Sequence, residues 1–187
     1  MKKRWMLLLV CLLPLLLFAA CGKERFDPAQ LRDRYTGPAF SAQYTVTTHA
    51  GFYTVYQLSC DCADGISTVT VREPQSVAGI QAVMQEGNAR LQYGEISLDA
   101  LLPEVAGFAP MDVLHGVLED LRQAEPTQYG RENGLLTVEY RKTVPVGQQA
   151  VKVITLDPQT LDVKCAECYL DDSLILSLEI TQLEWSA

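Results

Sequence analysis

The sequence predicts an α+β protein made mainly of antiparallel strands, about nine or ten in number, with a helical insertion between two sets of strands. Two observations support this fold class. Apolar and polar residues alternate through most of the chain, as in strands with one buried face, and turn segments separate these runs. In the middle of the chain the apolar spacing becomes helical. The 187 residues, 48% of them hydrophobic, suit one folded domain.

The first 20 residues have the layout of a secretory signal peptide. A positive start at residues 2–4 precedes an apolar run at residues 5–20 that ends in small side chains. This run contains Pro14 and falls short of the ~20 apolar residues that cross a bilayer. Cys21 follows, and the segment LFAACG at residues 17–22 resembles the lipobox of bacterial lipoproteins, with Phe where the motif usually has Leu.

The lipobox resemblance implies a membrane anchor. The thiol of Cys21 would carry a diacylglyceryl group with fatty acids such as palmitate, and residues 1–20 would be removed as the signal peptide. Residues 21–27 would then be the lipidated cysteine and its tether, and residues 28–187 a single domain on the extracytoplasmic face of the bacterial cell membrane. Two acyl chains are enough for stable anchoring.

The charge balance argues against a nucleic-acid partner. Three of the 15 Lys and Arg residues lie in the predicted signal peptide. The rest of the chain therefore has 12 Lys and Arg residues against 23 Asp and Glu residues. Proteins that bind phosphate backbones need clustered basic side chains. We therefore expect no binding to DNA or RNA.

Four cysteines lie outside the predicted signal peptide and the predicted lipidation site Cys21. They form two close pairs, Cys60 with Cys62 and Cys165 with Cys168, in a chain that we expect to be exported. Disulfides persist outside the cytoplasm, and a bond between the two pairs avoids the strain of a bond within one strand. Two alternatives stay open: a zinc site made of all four thiolates, and a redox-active Cys165/Cys168 pair. We expect no other cofactor.

The first half of the domain is predicted to begin with a short helix over residues 27–35, which Asp27 caps and in which Pro28 occupies the first turn. A strand follows from Phe40, where Phe40, Ala42, Tyr44 and Val46 alternate with polar residues. The further strands predicted in this half are residues 52–60, 66–73, 77–84 and 89–93.

The second half is predicted to begin with helical segments and to end in strands. Helical spacing occurs at residues 98–102 and 110–124, and the second segment has one apolar stripe, formed by Leu114, Val117, Leu118 and Leu121. Turns are predicted at residues 133–134, 145–147, 157–160 and 171–172, and a long last strand runs from Leu174 to Trp185.

This order of elements resembles the LolA-like family over nearly the whole mature chain. The resemblance rests on YTVTT at residues 44–48, Pro74 with VAGI at 77–80, Gly87-Asn88 with LQY at 91–93, and PMDVL at 110–114. It implies a strongly curved, half-open, barrel-like sheet with an N-terminal helix and a helical insertion that covers the concave face. The family includes periplasmic lipoprotein carriers, sigma-factor regulators and lipoproteins of spore-forming bacteria, some of them involved in germination.

The resemblance also implies a binding function. A cavity between the sheet and the helices would take a lipid or acyl chain, a lipoprotein, or an envelope protein partner. The candidate residues for this cavity and its lid are Tyr44, Tyr56, Tyr93, Leu114, Val117, Leu118 and Leu121. The family's carrier is soluble, whereas this chain would be tethered, and no arginine here matches the one that locks the carrier's lid. A fixed binding protein is therefore expected, not a shuttle.

Two other hypotheses for the function of the domain remain. The domain could be a solid-core module that stabilises another envelope protein, or a thiol- or zinc-dependent envelope protein built on the four cysteines.

The two histidines lie in a predicted turn, at His49, and in a predicted helix, at His115. No nucleophile elbow, His-Glu-x-x-His pair or phosphate-binding glycine loop accompanies them, so we expect no enzymatic activity.

Overall fold

The computed structural model describes residues 26–37, 39–85, 87–101, 105–145 and 147–186. The predicted signal peptide, Cys21 and most of the predicted tether lie outside these residues. Within the described part of the chain, no helix combines the length and the apolar character that a membrane span requires.

The described residues form two helices and one antiparallel sheet of eleven strands. The helices are α1 (Ala29–Tyr35) and α2 (Val113–Gln123). The strands are β1 (Phe40–Thr48), β2 (Thr54–Ala63), β3 (Ile66–Glu73), β4 (Gln81–Gln85), β5 (Asn88–Tyr93), β6 (Ile96–Leu101), β7 (Gln128–Glu132), β8 (Leu135–Thr143), β9 (Gln149–Leu156), β10 (Val163–Leu170) and β11 (Ser173–Trp185). Their order is β6-β5-β4-β3-β2-β1-β11-β10-β9-β8-β7, so the sheet is open, with β6 and β7 at its edges. The predicted antiparallel architecture is confirmed, with eleven strands and not nine or ten.

The largest difference from the prediction is the segment before α2. Residues 98–102 were expected to be helical, but Ile96–Leu101 is strand β6 and pairs with β5. The sequence ISLDAL alternates apolar and polar residues over its first five positions, and a turn at residues 94–95 closes a hairpin with β5. The short-range alternation therefore outweighs the leucine spacing that suggested a helix.

The boundaries of the other elements differ less from the prediction. Helix α2 begins at Val113, because residues 110–112 form a turn in which the Asp112 side chain accepts a hydrogen bond from the Ala109 N–H (2.7 Å). The fourth strand begins at Gln81, because the chain before it turns through Gly79, whose φ of +88° favours glycine. The hairpin predicted at residues 133–134 joins β7 to β8 as expected.

The contacts of α2 show that the sheet is curved. On one side His115 lies 3.3 Å from the Ser67 hydroxyl of β3, and on the other the Lys152 ammonium of β9 lies 2.7 Å from the Asp120 carboxylate. Strands β3 and β9 are five places apart, which is about 24 Å in a flat sheet. A helix about 10–12 Å wide reaches both only if the sheet bends around it. Helix α2 therefore lies on a concave face, between the two halves of the sheet.

One hydrophobic core fills this concave face. The α2 stripe of Leu114, Val117, Leu118 and Leu121 is buried there, together with side chains from both halves of the sheet. Helix α1 closes the end of the core, where the Tyr35 hydroxyl donates to the Leu161 carbonyl (2.9 Å) and accepts from the Val163 N–H (3.0 Å). The two helices and the sheet thus form one packed unit.

Candidate functional site

An apolar cavity of about 380 Å³ lies under the β4–β6 part of the sheet. Its walls come from the concave face of β2 to β6, from the loop between β3 and β4, and from the segment just before α2. The lining residues are Tyr56, Val71, Val77, Ile80, Ala82, Met84, Ala89, Leu91, Ala100, Ala109, Pro110, Met111 and Asp112. This volume falls in the range of ~300–1,000 Å³ that is typical of small-ligand sites.

Small side chains on three neighbouring strands leave this space open. Ala82 of β4 lies opposite Leu91 of β5, and Ala89 of β5 lies opposite Ala100 of β6. Directly opposite residues share one face of a sheet, so the three alanines line the same concave surface. The methyl side chain of alanine fills much less volume at each of these positions than a leucine or isoleucine side chain would. The hollow is therefore specified by the sequence of β4 to β6.

The segment before α2 covers the cavity, and the apolar stripe of α2 does not. Met111 and Pro110 are half-buried against it, whereas the four stripe residues lie in the solid core beside it. Of the predicted cavity residues, Tyr56 lines the cavity. Tyr44 is buried in the core, with its hydroxyl unpartnered, and Tyr93 is exposed near the cavity's outer end.

Most residues of the cavity lining were not predicted from the sequence. Val71 and Met84 lie in none of the segments that support the LolA-like resemblance. Ile80 and Met111 lie in two of those segments, at 77–80 and 110–114, but nothing in either segment marks them as cavity residues. Each of the four is an ordinary core residue when judged by its neighbours in the chain. The available signal was the run of alanines at alternating positions on adjacent strands. That signal becomes visible only when the strand register is known.

Asp112 is the charged side chain in the cavity wall. It is buried, and its carboxylate accepts the hydrogen bond of the Ala109 N–H. Burial raises the pKa of this carboxyl above its ordinary value, and the backbone hydrogen bonds and the charges of Lys152 and His115 offset only part of that rise. Asp112 therefore fixes the turn that covers the cavity, at an electrostatic cost.

A buried ion pair holds α2 to the opposite half of the sheet. The Lys152 ammonium contacts the Asp120 carboxylate (2.7 Å) and donates to the Gly116 carbonyl (3.0 Å), and Lys142 reaches the same carboxylate from the surface (2.8 Å). Gly116 packs so closely that an added Cβ would lie 2.6 Å from the backbone of Ala106. The charge pairing and the close backbone approach fix the position of α2.

His115 lies on the other side of α2 and is buried, not on an open helix face. Its Nδ1 is 3.3 Å from the Ser67 hydroxyl and its Nε2 is 3.5 Å from the Glu119 carboxylate, which lowers the pKa of Glu119. The Ser67 side chain has no exposed surface, so this row of groups presents no nucleophile to a substrate. His49 is exposed, as a turn residue should be, and contacts the Ser177 hydroxyl.

The predicted disulfide between the two cysteine pairs is not formed. Cys60, Cys62, Cys165 and Cys168 are all free thiols. Strands β2 and β10 are separated by β1 and β11, which places them about 14 Å apart along the sheet, whereas a disulfide needs Cα atoms within about 7 Å. The sequence could not reveal this separation, because it depends on the strand order.

The strand geometry also removes the zinc and redox alternatives. Cys168 is buried on the concave face beside Ala166, and Cys165 is half-exposed at a position of opposite parity in β10. Residues three apart in a strand point to opposite faces, so Cys165 and Cys168 cannot form a redox pair or join Cys60 and Cys62 at one metal. Among the described residues, no cluster of metal-binding side chains is found.

No protein-family model matches this sequence, and no curated protein matches it significantly. Solved structures do share its fold. An uncharacterized conserved protein from Thermus thermophilus is 8% identical, with 85% of each chain covered and a TM-score of 0.53. A DUF1329 family protein from Desulfovibrio piger is 11% identical, with 86% of this chain and 90% of that chain covered and a TM-score of 0.51.

A LolA superfamily protein, NE2245 from Nitrosomonas europaea, is also similar. It is 9% identical, and 87% of this chain and 95% of that chain are covered, with a TM-score of 0.48. The likeness to the Thermus and Desulfovibrio proteins shows that the arrangement of strands and helices is a shared fold. At such low identities it transfers no site and no activity.

Proposed function

We propose that this protein is a LolA-like, membrane-anchored lipoprotein of the bacterial envelope that binds an acyl chain in the cavity under β4–β6. The observation that carries the proposal is the cavity itself, whose 380 Å³ are walled by apolar side chains from five strands and the segment before α2. The LolA-like resemblance of the sequence points to the same class of ligand. Binding serves envelope processes, of which spore germination is the one that the resemblance suggests.

The chemistry of the walls favours a hydrocarbon ligand. The cavity wall has the Asp112 carboxylate as its charged group, and that group already accepts a backbone hydrogen bond. Transfer of apolar ligand surface from water into such walls gains about 25 cal/mol per Å². A ligand with buried hydrogen-bonding groups would find few partners here and would lose affinity. The hydrocarbon part of an acyl chain offers only apolar surface. It therefore gains the transfer free energy and buries no hydrogen-bonding group without a partner.

The anchor is tested at Cys21. Replacing Cys21 with Ala should abolish incorporation of a clickable fatty acid in growing cells and leave uncleaved precursor or shed protein. The matched control is Cys165→Ala, which removes a half-exposed thiol and should leave labelling unchanged. Equal labelling of the Cys21→Ala variant would exclude the lipoprotein anchor.

The cavity is tested by filling it. Ala89→Phe places an aromatic ring in the cavity, whereas Val83→Phe places one on the opposite face of the neighbouring strand. We expect Ala89→Phe to reduce the affinity for a fluorescent fatty acid ester by at least about tenfold, and Val83→Phe to leave it unchanged. If both variants bind like the wild type, the acyl chain does not bind in this cavity.

The competing proposal is a module that binds an envelope protein and no lipid. It predicts that wild-type protein binds no acyl probe at any concentration below the probe's own aggregation limit. It also predicts that Ala89→Phe and Val83→Phe retain the protein's function in cells equally well. The two proposals therefore differ in both the binding assay and the effect of filling the cavity.

A further inference from the structure

The apolar surface of the cavity continues beyond it over the β5–β6 hairpin. The pair Ala89–Ala100 lies within the cavity, the pair Leu91–Leu98 lies one step further along the hairpin, and Tyr93–Ile96 lies at its end. Directly opposite residues share a face, and alternate pairs along a hairpin share the same face. The three pairs therefore form one apolar stripe on the concave side of the sheet.

The outer part of this stripe is open to solvent. Tyr93 is 57% exposed, Ile96 71% and Leu98 62%, and we call these three residues the hairpin stripe. The opposite face of the hairpin is polar, because Arg90 and Asp99 form an ion pair there (2.7 Å). The apolar side chains are thus concentrated on the side that adjoins the cavity, which an ordinary solvent-exposed hairpin does not require.

The opposite edge of the sheet shows that this feature is not general to its edges. All five residues of β7, QYGRE, are exposed, and two of them are charged. Its one aromatic residue, Tyr129, packs against Phe26 at a ring distance of 5.2 Å. Exposed β-edges are usually protected by charge and short length, as β7 is, whereas β6 presents isoleucine and leucine.

The size of the hairpin stripe fits a flexible chain better than a protein partner. Three side chains of at most ~200 Å² each, about two-thirds exposed, offer roughly 400 Å² of surface. A stable protein interface buries about 800 Å² on each partner. A single hydrocarbon chain, in contrast, can lie along a stripe of this width with no further contacts.

The volume of the cavity sets the length of chain that it can hold. If a methylene group takes about 30 Å³, the share of a water molecule in the liquid, 380 Å³ holds roughly a dozen of them. An eight-carbon chain fits inside, whereas a sixteen-carbon chain must extend beyond the wall. The hairpin stripe begins where the cavity ends, because its residue Leu98 lies directly opposite the lining residue Leu91.

We propose that the hairpin stripe is the outer part of the ligand site and holds the portion of a long acyl chain that the cavity cannot contain. The ligands of this site are then long-chain acyl groups, and short chains gain nothing from the stripe. This inference rests on the proposed acyl binding in the cavity. It adds a selection by chain length, which the cavity alone would not give.

The test uses the full-length, membrane-anchored protein in nanodiscs of dioleoylphosphatidylcholine. The probes are methyl esters of eight- and sixteen-carbon fatty acids with a photoreactive diazirine next to the ester group. The apolar end enters the cavity, so the reactive carbon of the long probe lies over the hairpin stripe. After irradiation, peptide mapping should find the long probe on residues 93–98 and the short probe only on cavity residues such as Met84 and Met111.

The double variant Ile96→Asn/Leu98→Asn removes the apolar character of the stripe. We expect it to reduce labelling by the sixteen-carbon probe at least about fivefold and to leave labelling by the eight-carbon probe within about twofold. Both side chains are exposed, so the fold should be retained, and an unchanged thermal midpoint checks this. The control is Phe52→Asn, which removes a 90% exposed apolar side chain on the β1–β2 turn and should change neither probe.

The outcomes separate this inference from the proposed function. Two results would overturn the role of the hairpin stripe while leaving the cavity as the binding site. In the first, each probe labels the double variant as strongly as it labels the wild type. In the second, the double variant loses labelling by the long and the short probe to the same extent. Absence of labelling by either probe in the wild type would overturn acyl binding itself. Loss confined to the long probe supports the inference.

Discussion

The two halves of the sheet contact α2 in different ways. On the β8–β10 side, the buried Lys152–Asp120 pair and the fully buried Leu156 and Ile154 form a solid interface, which we call the closed side. On the β4–β6 side, alanines and the turn before α2 line an apolar cavity, and we call this the open side. The helix is therefore packed tightly against the closed side, whereas on the open side the turn that precedes it borders a cavity.

This difference suggests how the fold can bind without unfolding. A buried ion pair is costly to separate, because each charge would lose its partner in a region with little water. Apolar contacts around a cavity are less specific in direction and can be exchanged for contacts with a ligand. The closed side then holds α2 in place while the segment before it adjusts on the open side.

The largest expected effect is on the closed side. Replacing Lys152 with Met leaves Asp120 with Lys142 alone and should lower the free energy of unfolding by about 3 kcal/mol. Urea denaturation of the isolated domain measures this. The control Lys142→Met removes the exposed partner of the same carboxylate and should cost less than about 1 kcal/mol. If both variants lose the same free energy of unfolding, the buried Lys152–Asp120 pair does not stabilise the closed side more than the exposed Lys142 contact does.

A smaller effect compares matched truncations on the two sides. Leu156→Ala on the closed side should cost about 4 kcal/mol, and Met84→Ala on the open side about 2 kcal/mol, although both side chains are buried. Met84 lines the cavity, so fewer protein atoms pack against it than against Leu156, and its truncation loses fewer packing contacts. Denaturant titrations of both variants test this, and a larger cost for Met84→Ala would contradict the contrast.

The smallest effect is a pH dependence on the open side. Because burial raises the pKa of Asp112 above its ordinary 3.8, the neutral acid is favoured in the folded protein. The stabilisation from this residue is therefore complete below pH 3.8 and is lost as the pH rises through the raised pKa. The free energy of unfolding of the wild type, measured relative to Asp112→Asn, should therefore increase as the pH is lowered from neutral toward 3.8. A decrease over that interval would have the wrong sign.

The sequence predicted the local structure better than the site. The alternation at Phe40, Ala42, Tyr44 and Val46 identified β1 and its buried face, because that information is local. The cavity and the cysteine geometry depend on which strands are neighbours. The strand order inserts β1 and β11 between the two cysteine pairs and brings the alanines of β4, β5 and β6 together, and no pattern within one segment contains that information.

The helical insertion illustrates the same limit. The stripe of Leu114, Val117, Leu118 and Leu121 correctly indicated a buried face of α2, since helical periodicity is also local. It did not indicate which part of the insertion covers a cavity. The covering residues are Ala109 to Asp112, which lie in a turn with no periodicity.

We propose that the open side binds acyl chains. Native mass spectrometry of residues 22–187 after incubation with membrane extract tests it most directly, because the bound molecule is weighed with the protein. We predict adducts with the masses of acylated lipids on the wild type and on Val83→Phe, and their loss on Ala89→Phe. A stably folded wild-type domain that acquires no lipid adduct and binds no acyl probe would contradict the claim.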